Sequence, residues 1–243
     1  MNFAILLPVY NEAPTLGDVL GQLSQFKEGD LVVVDDGSTD ATPEILRKYP
    51  LRDVIRHPKN LGYGRSLIDG FDYVKANGYR YCVTMDADAQ HEPAFIPRLL
   101  EKLEGFDIVS GSRYLDPALS ADRPPADRLE INRIITEKLK GLTNYDLTDS
   151  FCGFKGYRVE GLRKLRLTES DYGFPIQVWL QAAKAGLTVT ECAVPLIYKD
   201  YGRNFNDHFA DREERLAHYL EVMEKEARSL GLTPPVPCEG GRS

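Results

Sequence analysis

The 243-residue chain is 42% apolar and carries 37 acidic against 30 basic residues, a formal net charge of −7. A chain of this length buries one substantial core, and its negative balance repels a phosphate backbone, which excludes nucleic acid as a partner. No run approaches the roughly 20 apolar residues of a membrane-spanning helix, and the apolar stretch 3–9 has no charged segment before it, so no export signal, no transmembrane segment and a cytoplasmic location are expected.

The first half repeats one unit, in which a short β-branched or apolar run ends at polar or glycine residues and an amphipathic stretch follows. That alternation predicts an α/β fold with a mostly parallel sheet flanked by helices. Strands are expected at 3–8, 31–35, 54–56, 80–85 and 107–110, most of them nearly continuous in apolar residues, as strands covered on both faces should be. Helices should begin near Pro14, Thr42, Tyr63 and Pro93, three of them with proline in the first turn, where a missing N–H costs little. Segment 115–127, rich in Pro, Asp and Ala, reads as a mobile loop of the kind that covers an active site. A helix over 128–140, a Gly-rich stretch over 149–158, a helix over 174–185 stopped by Gly186 and a strand over 188–198 follow. From 207 to 230 a helix places Phe209, Leu216, Leu220, Met223, Ala227 and Leu230 on one stripe, read as core packing that closes the domain, and 231–243 should be a disordered tail. The four cysteines stand at wide spacings without a Cys-x-x-Cys pair, which predicts reduced thiols rather than a disulfide framework or a zinc site.

In a parallel sheet, ligands sit beyond the carboxyl ends of the strands, and three polar clusters fall there. Pro8-Val9-Tyr10-Asn11-Glu12 follows the first strand, Asp35-Asp36-Gly37-Ser38-Thr39-Asp40 the second, and Asp86-Ala87-Asp88-Ala89-Gln90-His91 the fourth. Asp86 and Asp88 can turn toward one hard cation, Mg2+ or Mn2+, with Gln90 as a third oxygen; equally, two such aspartates form a turn and cap a helix. Asp35 and Asp36 offer acceptors for the N–H edge of a nucleobase, or a plain Asp-Gly turn. The glycines of Asn60-Leu61-Gly62-Tyr63-Gly64-Arg65 permit close backbone approach at a helix N-terminus that faces an anion, or form an ordinary strand-to-helix turn. Leu67 stands where a dinucleotide fingerprint needs its third glycine, which disfavours a hydride-transfer enzyme. Arg113, in Gly111-Ser112-Arg113-Tyr114, and Arg133 are candidate phosphate clamps or surface residues. Asp149 is a candidate general base or part of a turn leading into a helix near Tyr157, and His91 reads as a hydrogen-bonded helix-entry residue rather than a ligand.

Together, the order and spacing of these clusters from Pro8 to Tyr114 resemble the family 2 glycosyltransferases of the GT-A fold, and within them the branch of dolichol-phosphate mannose synthases and other polyprenyl-phosphate glycosyltransferases. The resemblance implies a single GT-A, Rossmann-like domain over 1–230, with a nucleotide-sugar-binding half at 1–114 and an acceptor half at 115–230. It implies a metal-dependent, inverting transfer from a UDP- or GDP-linked sugar to polyprenyl phosphate, by an enzyme peripheral on the membrane. Pro8, Tyr10, Glu12, Asp35, Asp36, Gly62 and Arg65 would serve the donor, Asp88 and Gln90 with Asp86 the metal, Asp86 and Asp88 being catalytic with Asp86 assisting at the donor, and Arg113, Arg133 and Lys199 the acceptor or a phosphate. Asp149 would act as a base only for a hydroxyl acceptor, since a phosphate is already ionised.

The second half departs from that branch. Trp179 stands where an acidic residue usually follows Gly-Phe-x-x-Gln-x, and Lys199 and Gly202-Arg203-Asn204-Phe205 replace an Arg and a Gly-x-Ser-Lys. A hydroxyl of a soluble sugar, small molecule or protein is the alternative acceptor. The non-enzyme alternative, a nucleotide- and Mg2+-binding module at Asp35 and Asp36, leaves Asp86-Ala87-Asp88-Ala89-Gln90 without a role. A sugar-phosphate nucleotidylyltransferase needs a Gly-rich basic loop where this chain has Tyr10-Asn11-Glu12.

Overall fold

A computed structural model describes residues 2–26, 28–119, 122–197 and 211–233. One seven-stranded sheet runs through them, formed by β1 (Phe3–Val9), β2 (Asp30–Asp35), β3 (Asp53–Arg56), β4 (Tyr81–Thr84), β5 (Ile108–Ser112), β6 (Lys155–Arg158) and β7 (Val189–Ala193), in the order β3-β2-β1-β4-β6-β5-β7. All neighbours pair in parallel except β6, which lies antiparallel between β4 and β5. The five strands expected in the first half are present, with ends shifted by no more than two residues.

Strand alternation divides the core between the two faces of the sheet. Ala4 and Leu6 of β1 face one way, against Leu67, Phe71 and Val74 of α3 (Tyr63–Ala76), Trp179 of α7 (Phe174–Lys184) and Met223 of α8 (Arg212–Leu230). Phe3, Ile5, Leu7 and Val9 face the other, against Leu16 and Leu20 of α1 (Ala13–Leu23) and Ile96 and Leu99 of α4 (Ile96–Lys102). Two-sided burial explains why β1 is apolar throughout its length.

Several expectations need correction. The turn into a helix near Tyr157 is a strand: Lys155, Gly156 and Tyr157 are buried in β6, and the helix that follows, α6 (Val159–Leu162), starts two residues later. The helix near Pro93 opens as a 3-10 turn, Pro93–Phe95, before α4. Segment 115–127 contains a further 3-10 turn, Pro117–Leu119, and the helix after it, α5 (Ala126–Thr143), is longer at both ends than 128–140. Among the described residues, the strand expected over 188–198 spans only β7. Helix α8 starts at Arg212, where the Asp211 carboxylate accepts the Glu214 N–H at 2.9 Å. Its buried stripe includes Tyr219 beside Met223 and Ala227; Phe209 lies outside the described residues. Gly231 ends the helix in the left-handed conformation, and the Leu232 N–H returns to the Ala227 carbonyl at 2.9 Å. The rest of the expected tail, 234–243, lies outside the described residues.

Candidate active site

Because β1, β2 and β4 run in parallel, their C-terminal loops meet on one edge. The first two are stitched together. Asn11, at φ 53°, donates its N–H to Ser38 Oγ at 3.0 Å, and its side-chain oxygen accepts the Thr39 N–H at 2.8 Å. The Glu12 N–H reaches Thr42 Oγ1 at 2.9 Å, and the Ala13 N–H reaches Asp40 Oδ2 at 3.1 Å. Tyr10 is 42% exposed on this edge, while Pro8 is buried inside β1 opposite Val34.

The adjacent aspartates at the end of β2, Asp35 and Asp36, have different roles. Asp36 is consumed by structure: its carboxylate accepts the N–H groups of Leu61 at 2.8 Å and Gly62 at 2.9 Å, and meets His57 Nδ1 at 2.6 Å. The other ring nitrogen of His57 contacts Asp69 at 2.9 Å, and Arg65 turns along α3 to pair with the same Asp69. Asp36 thus shapes the Leu61–Gly62 turn. Gly62 itself has φ 108°, and a Cβ there would meet the Ser170 carbonyl oxygen at 2.2 Å, so only glycine fits. Asp35 is 1% exposed; Oδ1 accepts the Ser38 N–H at 2.9 Å, whereas Oδ2 accepts no hydrogen bond among the described residues and lies 3.5 Å from Arg56 Nε.

Beyond β4, Asp86 is clasped from three sides. Its N–H donates to His91 Nδ1 at 3.3 Å, its Oδ1 accepts the Tyr63 hydroxyl at 3.0 Å, and its Oδ2 lies where a Cβ on residue 153 would come within 2.1 Å. Tyr63 is stacked on Tyr172 with ring centroids 6.0 Å apart. His91 stacks on Phe154, and burial pulls its pKa down to about 4, which leaves a neutral ring that accepts from Asp86. Ala89 takes φ 59°, and the turn lets the Gln90 N–H reach Asp88 Oδ1 at 3.0 Å. Burial first, and the charge of Asp86 second, raise the Asp88 pKa above the usual carboxylate range. Among the described residues no group of three or more His, Cys, Asp and Glu side chains could hold a metal ion.

A second polar centre adjoins it. Asp149 is fully buried, and its carboxylate accepts Arg113 three times: the backbone N–H at 3.2 Å, Nε at 2.6 Å and Nη2 at 3.0 Å. Burial opposes the charge on Asp149, but the guanidinium overcomes it and the pKa falls below its ordinary value. The buried Lys155 ammonium donates to the Cys152 carbonyl and lies 5.4 Å from the Trp179 ring centroid. Burial lowers its pKa, against the opposing charges of Asp149 and Asp86. Trp179 is itself core, its indole N–H donating to the Ser150 carbonyl at 2.9 Å beneath this loop. Arg133 stands exposed on α5, and Lys199 lies outside the described residues. Sequence reading gave no site role to Gly153, Lys155 or His57, and took Tyr63 only as a helix start. Gly153, which breaks the run Phe151-Cys152-Gly153-Phe154, carried the one local signal, since an isolated glycine among apolar residues marks a close approach.

Residues 4–166 match the model of Glycosyl transferase family 2. The chain belongs to that family. The enzyme is 30% identical over 212 residues to an undecaprenyl-phosphate mannosyltransferase of Micrococcus luteus, a match covering 84% of this chain and 87% of the relative. It is also 30% identical over 208 residues to a polyprenol monophosphomannose synthase of Mycolicibacterium smegmatis, covering 82% and 78%. Among solved structures, glucosyl-3-phosphoglycerate synthase of Mycobacterium tuberculosis, in complex with Mn2+, UDP and glucosyl-3-phosphoglycerate, superposes with a TM-score of 0.68 at 19% identity, over 92% of this chain and 80% of that one. This is a glycosyltransferase of the GT-A fold. No helix among the described residues is long and apolar enough to cross a membrane.

Proposed function

We propose that the enzyme transfers a hexose from a nucleoside-diphosphate sugar to a polyprenyl phosphate at the membrane surface, with inversion at the anomeric carbon and a divalent cation at Asp86 and Asp88. The observation that carries this reading is the Asp86–Asp88 pair: one carboxylate clasped in place, the other nearly buried beside that negative charge. A hard divalent ion suits such an all-oxygen set, with Gln90 adding an oxygen. When bound, the ion neutralises charge that develops on the departing diphosphate.

The chain's own groups do the rest. Asp35 Oδ2, buried, making no hydrogen bond and ion-paired to Arg56 at 3.5 Å, matches the imide N–H of uracil or guanine. Tyr10 offers an exposed ring beside it for stacking against the base. Arg113, aligned by Asp149, and Arg133 supply positive charge for the acceptor's phosphate. A carboxylate held by a guanidinium and lowered in pKa is a weak base, which favours an acceptor with no proton to give up. The relatives named for undecaprenyl phosphate and polyprenol support the same acceptor class.

The test is a transfer assay with radiolabelled GDP-mannose and UDP-glucose in parallel, with Mn2+ and a polyprenyl phosphate in detergent. Label should pass into the organic phase as an acid-labile glycosyl phosphate. Label that instead appears on a soluble hydroxyl acceptor, with none on the lipid, would replace polyprenyl phosphate with the alternative acceptor.

A further inference from the structure

Behind Arg113, on β7, lies a buried acid to which the reading above gives no role. Glu191 is 8% exposed and stands opposite Ser110 in the register of β5 and β7. Its Oε1 accepts the N–H groups of Thr148 at 2.9 Å and Asp149 at 3.0 Å, and its Oε2 accepts the Thr148 hydroxyl at 2.6 Å. A carboxylate that gathers two successive N–H groups and a hydroxyl fixes the backbone carrying them, and charge-assisted bonds of this kind are stronger than neutral ones.

Two paths lead from that anchor to Arg113. Along one, Asp149 grips the Arg113 backbone N–H, Nε and Nη2. Along the other, Thr148 Oγ1 lies 2.5 Å from Ser112 Oγ, which accepts the Tyr114 N–H at 3.2 Å. The residues on both sides of Arg113 are therefore held from the same point on β7. Burying an acid costs free energy that an apolar side chain of similar size avoids, so adhesion between β7 and the loop does not by itself call for a glutamate here.

We propose that Glu191 is a positioning residue for the acceptor site, acting through Asp149 and Thr148 to aim the Arg113 guanidinium at the acceptor's phosphate. This rests on Arg113 being a phosphate clamp. The experiment uses farnesyl phosphate as a soluble short polyprenyl phosphate, titrated calorimetrically into the wild type, Glu191→Ala, Glu191→Gln and Thr148→Val. Melting temperatures and the affinity for GDP and UDP with Mn2+ are recorded alongside. Glutamine keeps an oxygen for the two N–H groups and presents its amide to Thr148 Oγ1, so it should rescue.

Glu191→Ala should weaken farnesyl phosphate about tenfold and Thr148→Val about threefold, with Glu191→Gln within about threefold of the wild type, where tenfold corresponds to about 1.4 kcal/mol. Mn2+-dependent nucleotide affinity should stay within about twofold in all of them. A folded Glu191→Ala that binds farnesyl phosphate like the wild type overturns the inference, as does loss of nucleotide affinity in step with it. Where Glu191→Ala fails to fold, Thr148→Val decides, and unchanged affinity there overturns the inference. Equal affinity of the wild type and Arg113→Ala for farnesyl phosphate would instead remove the reading of Arg113 itself.

Discussion

Replacing Gly153 by alanine isolates the clasp around Asp86. The new Cβ would stand 2.1 Å from Asp86 Oδ2 and 2.7 Å from its Cγ, whereas non-bonded heavy atoms settle at roughly 3.5 Å. The carboxylate must therefore retreat by more than about 1 Å, and the Tyr63 bond at 3.0 Å breaks or follows. Gly153 is not among the residues with positive φ, so alanine fits the backbone, and the atom it strikes is a side-chain end that can move. The fold should tolerate the change while the site does not. A misplacement of about 1 Å at a reacting centre costs on the order of 100-fold, or about 2.7 kcal/mol in transition-state stabilisation. The assay is kcat/KM for sugar transfer, with the melting temperature as the control for folding. A Gly153→Ala enzyme within about threefold of wild-type kcat/KM would refute the argument that Asp86 must sit where it does.

Other substitutions probe the surrounding charges. Replacing His57 by leucine leaves Asp36 and Asp69 without the group they share at 2.6 and 2.9 Å, and should destabilise the fold by about 3 kcal/mol in urea titrations; a loss below about 1 kcal/mol would show the network to be dispensable. His91 has a folded pKa of about 4 against 6.5 for the free side chain, so between those values the unfolded chain binds the extra proton. Stability from this group is therefore present above about pH 6.5, is lost as pH falls toward 4, and is flat below, with a total on the order of 3 kcal/mol. The stability gap between the wild type and His91→Gln should narrow across that window; a gap independent of pH would contradict a buried neutral ring.

The first five strands and the helices between them were legible because two-sided burial writes a continuous apolar run and proline marks the helix starts. Strand β6 was not, because Lys155-Gly156-Tyr157-Arg158 has no apolar run, and Lys155 is buried there with its ammonium against the Cys152 carbonyl and the Trp179 ring. The clusters at Asp35-Asp36 and Asp86-Ala87-Asp88 were visible as residue types beyond strand ends. Their division of labour was not, because Asp36 is committed to His57 and the turn at Leu61 and Gly62, while Asp35 keeps an unsatisfied oxygen. Tyr63, Gly153 and Glu191 act on residues 23, 67 and 42 positions away, at Asp86 and Asp149. Apart from the isolated glycine at 153, no local pattern encodes such contacts; they arise when α3, β4, the loop before β6 and β7 pack together.

A metal-dependent nucleoside-diphosphate site at Asp86 and Asp88 is tested most directly by titration calorimetry of GDP and UDP with and without Mn2+. One nucleotide should bind the wild type with an affinity that Mn2+ raises at least about tenfold, and Asp88→Ala, still folded, should lose that increment. Equal affinity with and without Mn2+, or an Asp88→Ala protein that keeps the increment, would contradict a metal site at these aspartates.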